Sequence, residues 1–165
     1  MTISVSGVQR VLQSLLGERV SIRDLPNVLE GISEACGYSR NVTMITEHVR
    51  ARLARQISDT STDQTGVIQI LTLSPEWEQA FTEALHGDGE EKQLVMPPTT
   101  LQQFIQLVRQ AFERHTIMGE SPVLLTSPAI RPYVRSIIER FRPITTVMSQ
   151  NEIHARARIR TLGQI

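Results

Sequence analysis

The chain is poor in the features that most readily announce a chemistry. It has one cysteine, Cys36, in 165 residues. A lone thiol excludes an intrachain disulfide and offers no pair for a metal, and the count suits a reducing compartment. Aromatic residues make up only 4 %. That removes the stacking platforms single-stranded nucleic acid requires and leaves the core to aliphatic side chains. Neither sign of charge is in surplus, with Lys and Arg totalling 17 and Asp and Glu also 17. A nucleic-acid-binding domain ordinarily carries a basic excess, so no nucleic-acid partner is expected. No apolar run approaches the roughly 20 residues needed to cross a bilayer, and Met1-Thr2-Ile3-Ser4 is unlike a secretory signal. The chain is expected to be soluble and cytoplasmic. There is no glycine-rich phosphate loop. His48, His86, His115 and His154 never stand at a metal-type spacing, so no metal and no cofactor are expected. No repeat recurs at a fixed period.

What is present is an ordinary globular composition, 40 % hydrophobic and 21 % charged. A chain of this length buries roughly 70 % of its unfolded surface. The first 57 residues read as helices. Val5, Val8, Val11, Leu12, Leu15 and Leu16 recur at helical spacing up to Gly17. Ser21 can cap a second helix, with Asp24 as capping-box partner. Leu25, Val28, Leu29 and Ile32 form its stripe, and Gly37 ends it. Asn41 can cap a third, buried through Val42, Ile45, Val49, Leu53 and Ile57. Residues 58–66 hold no apolar side chain and read as a polar linker. The expected division is therefore 1–57 helical, 58–66 linker and 67–165 α/β.

Beyond the linker strands and helices alternate. Val67 to Leu73 is an apolar, β-branched run that predicts a strand. Ser74-Pro75 opens a helix with the stripe Trp77, Ala80, Phe81, Ala84 and Leu85. Gln93 to Met96 is a short strand. Thr99 or Thr100 caps a long helix buried through Leu101, Phe104, Ile105, Val108, Ala111 and Phe112. Val123 to Thr126 is a third strand. Ser127-Pro128 starts a helix with Ile130, Val134, Ile137, Ile138 and Phe141 inward and an irregular first turn at Pro132. Ile144 to Met148 is a fourth strand, which makes a right-handed parallel βαβ unit. Arg156, Arg158 and Arg160 alternate with Ala157, Ile159 and Thr161 as a half-exposed strand whose basic outer face discourages edge pairing. The fold class is α+β or α/β, a helical subdomain followed by a small α/β subdomain whose mixed sheet contains the parallel βαβ unit.

The candidate chemistry is thin. Thr126-Ser127-Pro128 follows a strand and opens a helix, where anions bind in many α/β proteins, with Arg131 near. The turn has no glycine for close backbone approach, and Ser127 is accounted for as a helix cap. His115 continues an apolar stripe and reads as a packing residue. Cys36, between Ala35 and Gly37, has no neighbouring base and reads as a small buried residue. The carboxylate pairs Glu76/Glu78 and Glu90/Glu91 lack the apolar pocket that would split an acid from a base. Arg50, Arg52 and Arg55, with Arg40 before them, make a basic helix that a winged-helix module could turn to phosphates. With Glu47 three residues before Arg50, and no net positive charge, a solvated or protein-contacting face is the better account.

Several blocks add what periodicity cannot. Val20-Ser21-Ile22-Arg23-Asp24-Leu25, Thr46-Glu47-His48-Val49-Arg50, Leu53-Ala54-Arg55-Gln56-Ile57, Pro122-Val123-Leu124-Leu125-Thr126-Ser127-Pro128 and Asn151-Glu152-Ile153 stand in an order that resembles the FlhA family of type III export-gate proteins. The match is to the C-terminal half of their cytoplasmic domain. The resemblance implies an excised fragment, the last two of four cytoplasmic subdomains, without the membrane domain that ties such proteins to the cytoplasmic side of the bacterial inner membrane. It implies no catalysis. The implied partners are neighbouring copies in a nine-membered ring, other export components, and export substrates with their chaperones. Contact with the membrane would come only through the absent domain. It places ring contacts on the charged surface of the helical part, including Arg23, Asp24, Glu47 and Arg50. The Leu53–Ile57 segment favours the flagellar branch over the injectisome branch. The rival readings are a small α/β ligand-binding domain or enzyme at Thr126–Pro128, and a winged-helix-like nucleic-acid module.

Overall fold

Alternating residues of three short strands divide the protein's interior into two cores. The computed structural model describes residues 3–165. Among them lie α1 (Val5–Gly17), α2 (Leu25–Ala35), α3 (Val42–Arg52), α4 (Ala54–Ser61), β1 (Val67–Thr72), α5 (Pro75–Ala84), β2 (Leu85–His86), β3 (Gln93–Leu94), α6 (Pro98–Ile117), β4 (Val123–Thr126), α7 (Arg131–Ile138), β5 (Val147–Ser149) and β6 (Arg158–Gln164). A 3₁₀ turn, Gln150–Glu152, follows β5. The main sheet runs β5-β4-β1-β6 with every pair parallel. The antiparallel pair, β2 with β3, forms a ladder of its own. This is the α/β architecture expected, with β4–α7–β5 as the parallel βαβ unit.

Successive strand residues point to opposite faces. Ile68, Ile70, Val123 and Met148 enter one core with Val11, Leu15, Val28, Ile45, Val49 and Ile57 from α1 to α4. Leu71, Leu124 and Val147 enter the other with Phe81, Phe104, Val108 and Val134 from α5 to α7. The helical part thus shares its core with one face of the sheet. Phe104 anchors the second core, with its ring centroid 4.9 Å from Phe81 and 5.1 Å from Trp77.

Many local signals act as expected. Asn41 accepts a hydrogen bond from the Met44 N–H and caps α3. Ser74 caps α5 through the Trp77 N–H. Cys36 is buried. Other expectations are corrected. Asp24, not Ser21, caps α2, and Ser21 Oγ instead accepts from Arg23 N–H. Leu25 and Leu29 are 41 % and 43 % exposed, so the stripe of α2 narrows to Val28 and Ile32. The third helix breaks at Leu53, and α4 continues to Ser61 through half of the stretch expected to be linker. Ser58, though polar, is buried, because its hydroxyl donates to the Glu152 carbonyl and accepts from the His154 N–H. Pro97 rather than Thr99 or Thr100 is the cap residue of α6, and Pro98 is its first residue, where proline's missing N–H costs nothing. The fourth strand is Val147–Ser149, not Ile144–Met148, with Ile144 left 66 % exposed. The last strand starts at Arg158 rather than Arg156. The β2–β3 turn was not legible as a ladder. It depends on Gly87 at φ 132°, where an added Cβ would collide with the Glu91 carbonyl.

Candidate functional site

Six charged side chains meet where α1, α3, α7 and the 3₁₀ turn converge at β5. Glu18 is the residue at the end of α1. Glu47 and Arg50 lie one turn apart on α3. Arg131 opens α7, and Arg135 follows one turn later. Glu152 ends the 3₁₀ turn. Three arginines face three glutamates, and the cluster is neutral when all are ionised.

Arg131 is its centre. Nε and Nη2 donate to the two oxygens of Glu47 at 2.7 and 2.8 Å. Nη1 and Nη2 donate to the two oxygens of Glu18, both at 2.8 Å. Nη1 also donates to the Val147 carbonyl at 2.9 Å. A guanidinium has five N–H donors, and all five are engaged. The side chain is 1 % exposed. Only a planar fork with this donor set can hold two carboxylates bidentately.

Arg50 makes the second fork. Nε and Nη2 donate to Glu152 at 2.9 and 2.8 Å, with the two side chains 2 % and 1 % exposed. Glu152 also closes a capping box, accepting the Ser149 N–H. Arg50 Nη1 makes no hydrogen bond and lies 3.6 Å from Glu18. Arg135 donates to the Pro143, Thr145 and Gly17 carbonyls, with Nε unbonded 3.7 Å from Glu18.

The energetics follow from burial. Taking a charge out of water costs several kcal/mol. Burial alone would raise the Glu18 pKa, but the Arg131 hydrogen bonds and the charges of Arg131, Arg50 and Arg135 outweigh it and hold Glu18 below 4.5. Burial pushes Glu47 above that value, aided by the Glu152 charge and opposed by Arg131. For Arg131 burial opposes the charge, and Glu18 with Glu47 more than offset it. The arrangement ties three helices and a turn together beside β5. It presents no nucleophile beside a base.

These shifts set a pH dependence. Glu18, held below 4.5, contributes stability that is full above pH 4.5 and lost as pH falls through its folded value. Glu34, lowered by its His48 hydrogen bond, and Glu120, lowered by His115, act the same way. Asp63, lowered from 3.8 by Thr65, does so at more acid pH. Glu47 acts oppositely, its contribution full below 4.5 and lost as pH rises through its raised value. The urea midpoint is expected to fall as pH drops below 4.5, because lowered groups outnumber the raised one. A midpoint that rises on acidification would contradict this balance.

The four residues expected at ring contacts separate. Arg23 and Asp24 lie exposed at the start of α2. Glu47 and Arg50 face inward. Glu47 pairs with Arg131 rather than Arg50, and Arg50 is buried rather than part of a solvated face. The anion-site reading of Thr126–Pro128 is also altered. Ser127 is not a helix cap, since α7 starts at Arg131 without a side-chain cap. The Ser127 N–H donates to the Glu78 carboxylate at 3.1 Å, so the chain's own anion takes the place. It borders an open depression of about 720 Å³ at the carboxyl ends of the strands. His115 is buried and bonded to Glu120 at 2.8 Å. Among the described residues no His, Cys, Asp and Glu group has metal-binding geometry, and no helix is long and apolar enough to cross a membrane.

A parallel sheet packed on both faces by helices defines the class. It is the fold of about half of the cytosolic domain of type III secretion proteins. The Chlamydia pneumoniae CdsV structure superposes with a TM-score of 0.90 at 30 % identity, over 99 % of this chain and 47 % of that one. The nonameric EscV cytosolic domain from the type III secretion system gives 0.80 at 26 %, over 98 % and 47 %. The FHIPEP family profile matches residues 1–158, and the chain belongs to that family. It is 60 % identical to the flagellar biosynthesis protein FlhA of Caulobacter vibrioides, over 99 % of this chain and 23 % of that protein. The Bacillus subtilis FlhA is 29 % identical, over 99 % and 24 %. The chain therefore spans about a quarter of the length of the curated relatives it matches.

Proposed function

We propose that this chain is a non-catalytic piece of the cytoplasmic part of a flagellar type III protein-export gate. It helps like copies assemble into a ring and helps dock export components, substrates and their chaperones. The observation that carries this is the 60 % identity to a flagellar FlhA across 99 % of the chain. That 60 % stands against 26 % for the low calcium response locus protein D of Yersinia pestis and 30 % for CdsV. It is this one flagellar relative that favours the flagellar branch, since other flagellar FlhA proteins lie at 27–31 %. A related cytosolic domain forms a nonamer, and the related CdsV forms a complex with CdsO. Both support contacts with like copies and with other components. A charge-locked interior suits a part that passes load without deforming. The longer protein is held at the bacterial inner membrane, with this part on the cytoplasmic side.

The start of α2 is the surface we assign to ring contact. Arg23 and Asp24 are exposed there beside Leu25 and Leu29, which lie one turn apart on one helix face. Large apolar side chains rimmed by charge are typical of protein contacts. The test is an in-frame deletion of the segment encoding these 165 residues, read out by swimming and by secretion of hook and filament proteins. Loss of flagellar secretion is the expected result. Normal flagellar secretion, or loss confined to injectisome effectors, would overturn the assignment.

A further inference from the structure

Strand β6 ends the main sheet. Its inner edge pairs with β1 from Val67↔Arg158 to Thr72↔Gln164. Among the described residues no strand pairs with its outer edge. Such an edge is a template for another chain. Arg158 through Thr161 are all exposed, and Ile159 is 49 % exposed.

The charge along this edge is one-sided. Arg156, two residues before β6, and Arg158, its first residue, with Arg55 from α4 and His154, surround a depression of about 680 Å³. Asp59 is the single carboxylate on its lining. The ion-paired arginines of the described residues are Arg50, Arg52, Arg131, Arg135 and Arg160. Arg55, Arg156 and Arg158 are not among them. Arg55 on α4, with Arg156 and Arg158, thus sets three guanidiniums without ion pairs against one carboxylate around this depression. Repulsion of a second copy explains part of the pattern, because like charges blunt self-pairing. The same charges attract a strand of opposite sign.

We infer that the outer edge of β6 docks an extended acidic segment of another polypeptide. The segment adds to the sheet as a strand, and its carboxylates are taken by Arg55, Arg156 and Arg158 as charge-assisted forks. The inference does not depend on the proposed function.

The probe is a fluorescent peptide of about ten residues alternating Glu and Val, a strand-forming period, titrated into the 165-residue chain and followed by anisotropy. Saturable binding that weakens with salt is expected. The double variant Arg156→Glu, Arg158→Glu should lose about tenfold or more in affinity, and a Lys-for-Glu peptide should not bind. A peptide N-methylated at alternate residues keeps its charge but loses its ladder donors, and should lose a similar factor. Amide exchange across β6 should slow when the parent peptide is bound. The N-methyl arm needs no protein variant, so it stands even if charge reversal disturbs folding. Undiminished binding of the N-methyl peptide, or no binding of the parent, would overturn strand addition. Equal competition by an oligonucleotide or an anionic vesicle would reduce the edge to an unselective anion patch and overturn it too.

Discussion

Replacing Arg131 by methionine is expected to remove about 3–5 kcal/mol of folding stability. The loss has a specific origin. Methionine keeps much of the volume but none of the five hydrogen bonds to Glu18, Glu47 and the Val147 carbonyl. Two largely buried carboxylates would then lose their main partner, with Arg50 and Arg135 only partly in reach of Glu18. Native domains have roughly 5–15 kcal/mol in hand, so this one change takes a large share. For a chain of this size the melting temperature should drop on the order of 10 °C. Urea unfolding followed through Trp77, the single tryptophan, measures it. Adding Glu18→Gln and Glu47→Gln to the variant should recover a large part, because the penalty lies in stranded charge rather than lost packing. If the triple variant is no more stable than the single one, the charge explanation fails and a packing defect takes its place.

The second large effect is expected at Glu152. Its carboxylate accepts two hydrogen bonds from Arg50 and one from the Ser149 N–H. Glu152→Ala strands a guanidinium that is 2 % exposed and opens the turn that leads out of β5. A loss of about 3–5 kcal/mol is again expected. Arg50→Met should be costly for the mirror reason. Made together, the two changes should cost less than the sum of the single losses by about 1 kcal/mol or more. Strict additivity would show that the two residues stabilise the fold independently, against the geometry of their fork.

What could be read from the chain was mostly what is decided within one turn of backbone. Asn41 and Ser74 cap their helices because a short polar side chain needs only an N–H three residues on. Val123 to Thr126 is a strand because a buried parallel strand is apolar on both faces. The charge cluster was beyond that reach. Arg50 and Glu152 are 102 residues apart, and Glu18 and Arg131 are 113 apart. An arginine on a helix otherwise rich in arginine looks solvated until a partner from the far end of the chain is brought to it. Ser58 misled in the same way, because its burial depends on the backbone at Glu152 and His154. Ser127 failed for a subtler reason. A strand followed by Ser-Pro is a fair helix start, but Glu78 from a different helix claimed its N–H. The block Asn151-Glu152-Ile153 supported the family resemblance without revealing that Glu152 is the buried partner of Arg50.

The distances along the chain also bear on synthesis. Residues leave the ribosome in order, so Glu18, Glu47 and Arg50 emerge long before Arg131 and Glu152. Until those later residues appear, the first four helices lack their charge partners and the sheet face that fills their core. A nascent or truncated chain ending ahead of α7 cannot complete either. Quality control in the cell would therefore meet this stretch of polypeptide as an all-or-nothing client, committed to its native shape only once the segment from α7 through β6 has arrived.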